Sequence, residues 1–219
     1  EGSSMSDTNQ DAKVMQLAAT LPEVQPELLD VAKQAVAELD AAVRAGDDSA
    51  VALAKTRYDA VVWKLNGGTF FGCDGGPNAP AAVVGRHCAA VPGAVPLWGQ
   101  NGEFLIEVEG IRAVVRVEGP RFSWMNHFEF HAIDPDTPFI SETGYRSHFA
   151  RPVGECTVDD AAALHLRAIL AEKGRVMIEV KRRPEIAAGE RFPWVRVVAP
   201  VPAAVSAYVE QGGQFAFAF

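Results

Sequence analysis

At 219 residues with 48% hydrophobic side chains, the chain can bury a sizeable core without a disulfide or metal staple. Its three cysteines, Cys73, Cys88 and Cys156, are odd in number and widely spaced, which excludes a secreted disulfide framework and a CxxC-type zinc site and predicts reduced thiols. The net charge of −8 is uneven: residues 1–60 hold five Lys/Arg against eleven Asp/Glu, so that part is expected not to grip a phosphate backbone, and nucleic acid is not indicated as a partner.

Glu1 to Ser6 reads as a tag remnant around Met5, with residues 1–8 a disordered start. No basic flank with an apolar run follows, and no stretch approaches the roughly 20 apolar residues that span a bilayer. The expected location is the cytoplasm. Residues 9–66 then read as a helical hairpin. From Pro26 to Ala45, Leu28, Leu29, Val31, Ala32, Ala35, Val36, Leu39, Ala42 and Val43 repeat as one buried helical stripe, with Gly46 as its stop. Asp47, Asp48 and Ser49 cap a second helix ending at Asn66-Gly67-Gly68, and so short a turn predicts antiparallel packing. A weaker helical pattern runs from Asp11 to Leu21.

Residues 67–102 are dense in glycine and proline, a long loop expected to be functional or ordered by short elements. Phe70, Phe71 and Trp98 argue against a plain linker and predict a loop draped over the core. Residues 103–219 form the expected core. Glu103 to Glu109 and Ile111 to Val117 are strands joined by a tight Glu109-Gly110 turn, and a third strand runs from about Phe122 to Ala132. A helix capped by Thr157 spans Val158 to Glu172, and strands are expected near Val176 to Val180 and Trp194 to Val198. The fold class is therefore α+β: a helical hairpin, then a mostly antiparallel or mixed sheet with one helix packed on it.

Chemistry concentrates between Asn126 and His148. Strand alternation puts His127, Glu129 and His131 on one face and Phe128 and Phe130 on the other. Two imidazoles and a carboxylate are metal-ligand and acid–base material, although same-face neighbours sit about 6–7 Å apart and a plain solvated sheet face alternates in the same way. Glu142 and His148 join them as catalytic candidates. In the next stretch, Ser141, Thr143, Tyr145, Arg146 and Ser147 are binding candidates, because Arg beside hydroxyl donors holds carboxylates and phosphates. The Asp134 to Pro138 turn is expected to fold Tyr145 and Arg146 back onto the His/Glu row, forming a polar cleft for an anionic ligand or acidic partner side chain. No P-loop or dinucleotide spacing occurs, and no cofactor is expected.

Other candidates read as structural. His165 lies on the apolar stripe of its helix as a satisfied core residue, His87-Cys88 are adjacent and point apart, and Lys181-Arg182-Arg183 ahead of Pro184 is a solvated turn. Phe215, Phe217 and Phe219 alternate at the end as a face to bury on this chain or on a second copy.

Two stretches, Trp63-Lys-Leu-Asn-Gly-Gly-Thr-Phe-Phe-Gly72 and Pro138-Phe-Ile-Ser-Glu-Thr-Gly-Tyr-Arg-Ser-His-Phe149, resemble segments of accessory proteins carried by broad-host-range bacterial plasmids and related mobile elements. The resemblance implies a host-interaction, antirestriction or conjugation-control role in a bacterial cytoplasm, and it carries no catalytic residue. The expected function is a non-enzymatic protein acting on a host or plasmid protein partner. The alternative is a hydrolase or nuclease-like enzyme, with or without metal, using the His/Glu/His row and the adjacent loop.

Overall fold

In the computed structural model, the structure describes residues 4–119 and 125–198. Helices α1 (Ser4–Ala18), α2 (Gln25–Ala45), α3 (Asp48–Leu65) and α4 (Pro80–Cys88) precede strands β1 (Gly102–Val108), β2 (Ile111–Glu118), β3 (Asn126–Ala132) and β4 (Tyr145–Ala150), and α5 (Val158–Lys173), α6 (Arg183–Ala188) and α7 (Val195–Val198) follow. This is the expected α+β class. The sheet is an antiparallel meander in the order β1-β2-β3-β4.

The hairpin forms where its caps put it. Gly46 adopts φ 66° and closes α2 by donating to Val43 O, while Asp47 Oδ1 accepts from Ser49 N and Ala50 N, each at 3.0 Å, to start α3. The first helix begins earlier than the Asp11 to Leu21 pattern. Within the glycine-rich region, Pro80 opens α4 as a first-turn residue, and Ala81, Val84 and Cys88 bury against Leu28, Val36, Val61 and Val62 of α2 and α3.

Trp98 joins the two halves of the chain. It is 1% exposed, its backbone N–H donates to Asp40 Oδ1 of α2 at 3.1 Å, its indole N–H donates to Cys156 O at 2.8 Å, and its ring meets Phe128 edge-on at 6.4 Å. The main core lies between the sheet and α5: Phe104, Val115, Phe128 and Phe130 pack with Ala161, Ala162 and Leu166. Glu109 and Gly110, at φ 52° and 76°, make the expected two-residue β1–β2 turn.

Three expectations change. Val176 to Val180 is not a strand but makes one bridge, Val176 to Phe139. Trp194 to Val198 is helical, with Val195 N–H returning to Phe192 O at 3.0 Å after Pro193. The turn at Lys181 to Pro184 leads into α6, with Pro184 in its first turn. Residues 1–3, the start of the expected third strand at Phe122, and the Phe215 to Phe219 tail lie outside the described residues. No described helix is long and apolar enough to cross a membrane.

Candidate functional site

The alternation of β3 holds: Phe128 and Phe130 are fully buried toward α5, while His127, Glu129 and His131 take the other face of the sheet. Register sets Arg116 of β2 and Ser147 of β4 on either side of Glu129, and Tyr145 beside His131. A polar chain crosses that face. Glu103 accepts from Arg116 Nε at 2.9 Å and Nη2 at 2.6 Å and from the Trp194 indole at 3.2 Å. Arg116 Nη1 lies 3.8 Å from Glu129 Oε2, and the Tyr145 hydroxyl donates to Glu129 Oε1 at 2.9 Å.

His131 completes this arrangement, with its Nε2 lacking a hydrogen-bond partner. Its Nε2 is 3.5 Å from Glu129 Oε2, buried, and outside hydrogen-bond geometry, and its ring packs 5.0 Å from both Tyr145 and Phe192. Burial, reinforced by Arg191 and opposed by Glu129, pushes the imidazole down to about 4, so His131 is neutral at pH 7. Burial alone would raise Glu129, but the Tyr145 hydroxyl and the neighbouring imidazole hold its carboxyl below the ordinary value. Burial and then the Glu129 hydrogen bond push Tyr145 up.

The row nonetheless does not converge. His127 stacks face to face on Phe149 at 4.3 Å, at the far end of the strand from His131. Among the described residues, no three His, Cys, Asp or Glu side chains are placed to hold a metal ion.

The expected return of Tyr145 and Arg146 is half correct. Residues 145–150 are an edge strand rather than a loop, so alternation sends Tyr145 and Ser147 to the row and Arg146 and His148 to the opposite face. His148 packs 4.6 Å from His165 of α5, and burial followed by the Arg146 charge lowers its pKa. His165 is half-buried against Phe128 at 5.2 Å with its Nε2 unbonded, so it is neither fully in the core nor satisfied, where the sequence suggested both. Ser141 and Thr143 bond each other through their hydroxyls at 2.7 Å and shape the turn into β4, while the exposed Glu142 contributes its carbonyl to Glu179 N. At Gly144, φ is 71°, a left-handed conformation that favours glycine, and Ile186 of α6 packs over the space a Cβ would take.

Sequence reasoning missed what lies at the end of the row. A cavity of about 380 Å³ opens between β3, β4 and the α6–α7 segment, with His131, Tyr145, Arg182, Arg191, Phe192 and Arg196 among its lining. Arg182 and Arg196 fall in stretches read as a turn and a strand, with Arg191 between them, and their convergence depends on α6 and α7.

On the helical unit, most basic side chains are engaged with acids or carbonyls. Lys55 pairs with Asp59, Arg57 with Glu38, and Lys64 with Glu23 and the carbonyls of Ala18 and Leu21. A different surface lies where α4 meets α2. Arg86 and His87 are exposed in the last turn of α4, with Arg86 donating to the Pro77 carbonyl, Lys33 is exposed on α2 close enough for its charge to act on the Cys88 thiol, and Asp30 is 4.0 Å from His87. Residues 75–102 contain no Asp or Glu.

Residues 13–87 match a family described as the KlcB N-terminal DNA-binding domain, and residues 101–185 match the KlcB third domain. Among curated relatives, one Escherichia coli protein KlcB is 49% identical over 197 residues, covering 88% of this chain and 49% of the relative. A second E. coli protein KlcB is 48% identical over 204 residues, covering 92% and 44%. The chain thus spans about half the length of these relatives. No solved structure matches. The first match overturns the expectation that nucleic acid is not indicated: a charge count along residues 1–60 neither separates faces nor includes the acid-free stretch that follows. In both its helical unit and its sheet, then, the chain is similar to KlcB of E. coli.

Proposed function

We propose that this chain is the DNA-binding and sheet-bearing part of a KlcB-type accessory protein of a bacterial plasmid, acting without catalysis of its own. The observation that carries this reading is the match of residues 13–87 to a family described as a DNA-binding domain. The α2–α4 surface supplies the contacts. Arg86 and Lys33 reach phosphates, because both are exposed and neither has an acidic partner among the described residues, unlike Lys55 and Arg57 of α3; Arg86 gives up only its contact with the Pro77 carbonyl. The net acidity of the chain keeps non-specific affinity low. On the sheet, His127 and His131 stand at opposite ends of β3, and among the described residues no three His, Cys, Asp or Glu side chains are placed to hold a metal ion, so no observation favours the hydrolase reading.

The test is fluorescence anisotropy with labelled duplex DNA across a salt series. Binding is expected to weaken with salt, and Lys33→Ala with Arg86→Ala should flatten the log–log slope by about one for each phosphate no longer neutralised. Binding unchanged in the double variant would move the interface off α4, and no binding at any salt would sink the reading.

A further inference from the structure

The cavity between the sheet and the α6–α7 segment has features that the DNA-binding reading does not use. Its volume of about 380 Å³ lies in the range of small-molecule sites. Ile133, Ile186, Phe192 and Val195 supply apolar wall, and Arg182, Arg191 and Arg196 bring three positive charges against the single carboxylate of Glu185. Glu185 stands 3.9 Å from Arg182. Neither Arg191 nor Arg196 has an acidic partner among the described residues; Arg191 instead lies 5.6 Å from the centre of the Phe192 ring. Like charges gathered on one cavity repel each other unless an anion joins them.

A second, independent feature is His131. It is 3% exposed, lines this cavity, and leaves Nε2 buried without a hydrogen-bond partner. That nitrogen lies 3.5 Å from Glu129 Oε2, so His131 forms the inner wall of the cavity, where its ring reports on an occupant. The Tyr145 hydroxyl is already committed to Glu129, so it fixes the cavity floor rather than offering a free donor.

We infer that this cavity binds a small organic oxyanion, with Arg191 and Arg196 clamping a phosphate or carboxylate head and Phe192, Ile186 and Val195 covering an apolar or aromatic body. Guanidinium groups suit such heads because their forked donors meet two oxygens at once. The site stands whether or not α4 touches DNA.

Three probes test it by calorimetry and by the imidazole NMR signals of the whole chain: inorganic phosphate, adenosine 5′-monophosphate and benzoate. At least one organic anion is expected to bind ten-fold or more tightly than inorganic phosphate and to move the His131 resonance. The identity of the better probe separates a phosphate head from a carboxylate one. Both side chains are exposed, so the double variant Arg191→Ala with Arg196→Ala should keep its melting temperature and lose binding at least ten-fold. Ala187→Trp, which adds bulk on the cavity wall without changing charge, should lose it as well. Silence from all three probes at millimolar concentration, or equal binding by wild type and both variants, would overturn the inference.

Discussion

His131 shows how one residue turns local packing into a pH response. Buried beside Phe192 and near Arg191, it stays neutral in the folded chain down to about pH 4, whereas in an unfolded chain it takes up a proton near its ordinary 6.5. The unfolded state therefore binds more protons between those values, and stability falls as pH drops from about 6.5 to about 4. His148 and His165, both lowered by burial first, act in the same direction. Glu129, held low, contributes stability above its unfolded value that is lost on further acidification. Chemical denaturation at stepped pH should show His131→Gln with a shallower acid-side decline than wild type; an unchanged slope would mean that the imidazole titrates normally. His165→Leu, which removes an unbonded buried nitrogen, is expected to be neutral or stabilising at pH 8 and more favourable at pH 5. A loss above about 1 kcal/mol at pH 5, measured in the same way, would show that the ring has a partner.

At the scale of elements, legibility followed local signals. The helices α2, α3 and α5 announce themselves because an apolar stripe coincides with a start signal, Pro26 for α2 and the capping side chains of Asp47 and Thr157 for α3 and α5, and with a glycine at or just beyond the end. Asp47→Ala removes two cap hydrogen bonds and should cost about 1 kcal/mol in a urea melt. The strand β4 is illegible for a physical reason: both of its faces are partly polar, so Tyr145 to Ala150 carries no hydrophobic alternation, and reading it as a loop put Arg146 and His148 on the wrong side. The nine residues of α4 hide among glycines, and Trp194 to Val198 is rich enough in apolar and β-branched residues to read as a strand although its backbone turns after Pro193. The Glu129–His131 face was readable from period two alone. The arginines that make a cavity of it were not, because they converge only through α6 and α7.

The helical unit and the sheet share one core, which Val43 of α2 joins and against which Leu39 and Val51 pack. Trp98 bridges Asp40, Cys156 and Phe128, so Trp98→Ala should cost about 3–5 kcal/mol and loosen both parts together. A single shared transition would broaden or split in thermal unfolding, whereas an unaltered melt would show that the two parts are held elsewhere. Charge at this scale misled for a related reason: a total of −8 averages over faces, while binding a phosphate needs only a local cluster such as Lys33 with Arg86. The measurement closest to the central claim is the salt dependence of duplex binding by the whole chain and by its Lys33→Ala, Arg86→Ala variant. The account predicts measurable binding at low salt, a negative slope in log affinity against log salt, and a slope shallower by about two in the variant. Absence of binding at low salt would contradict it, and a variant indistinguishable from wild type would contradict its placement of the interface on α2 and α4.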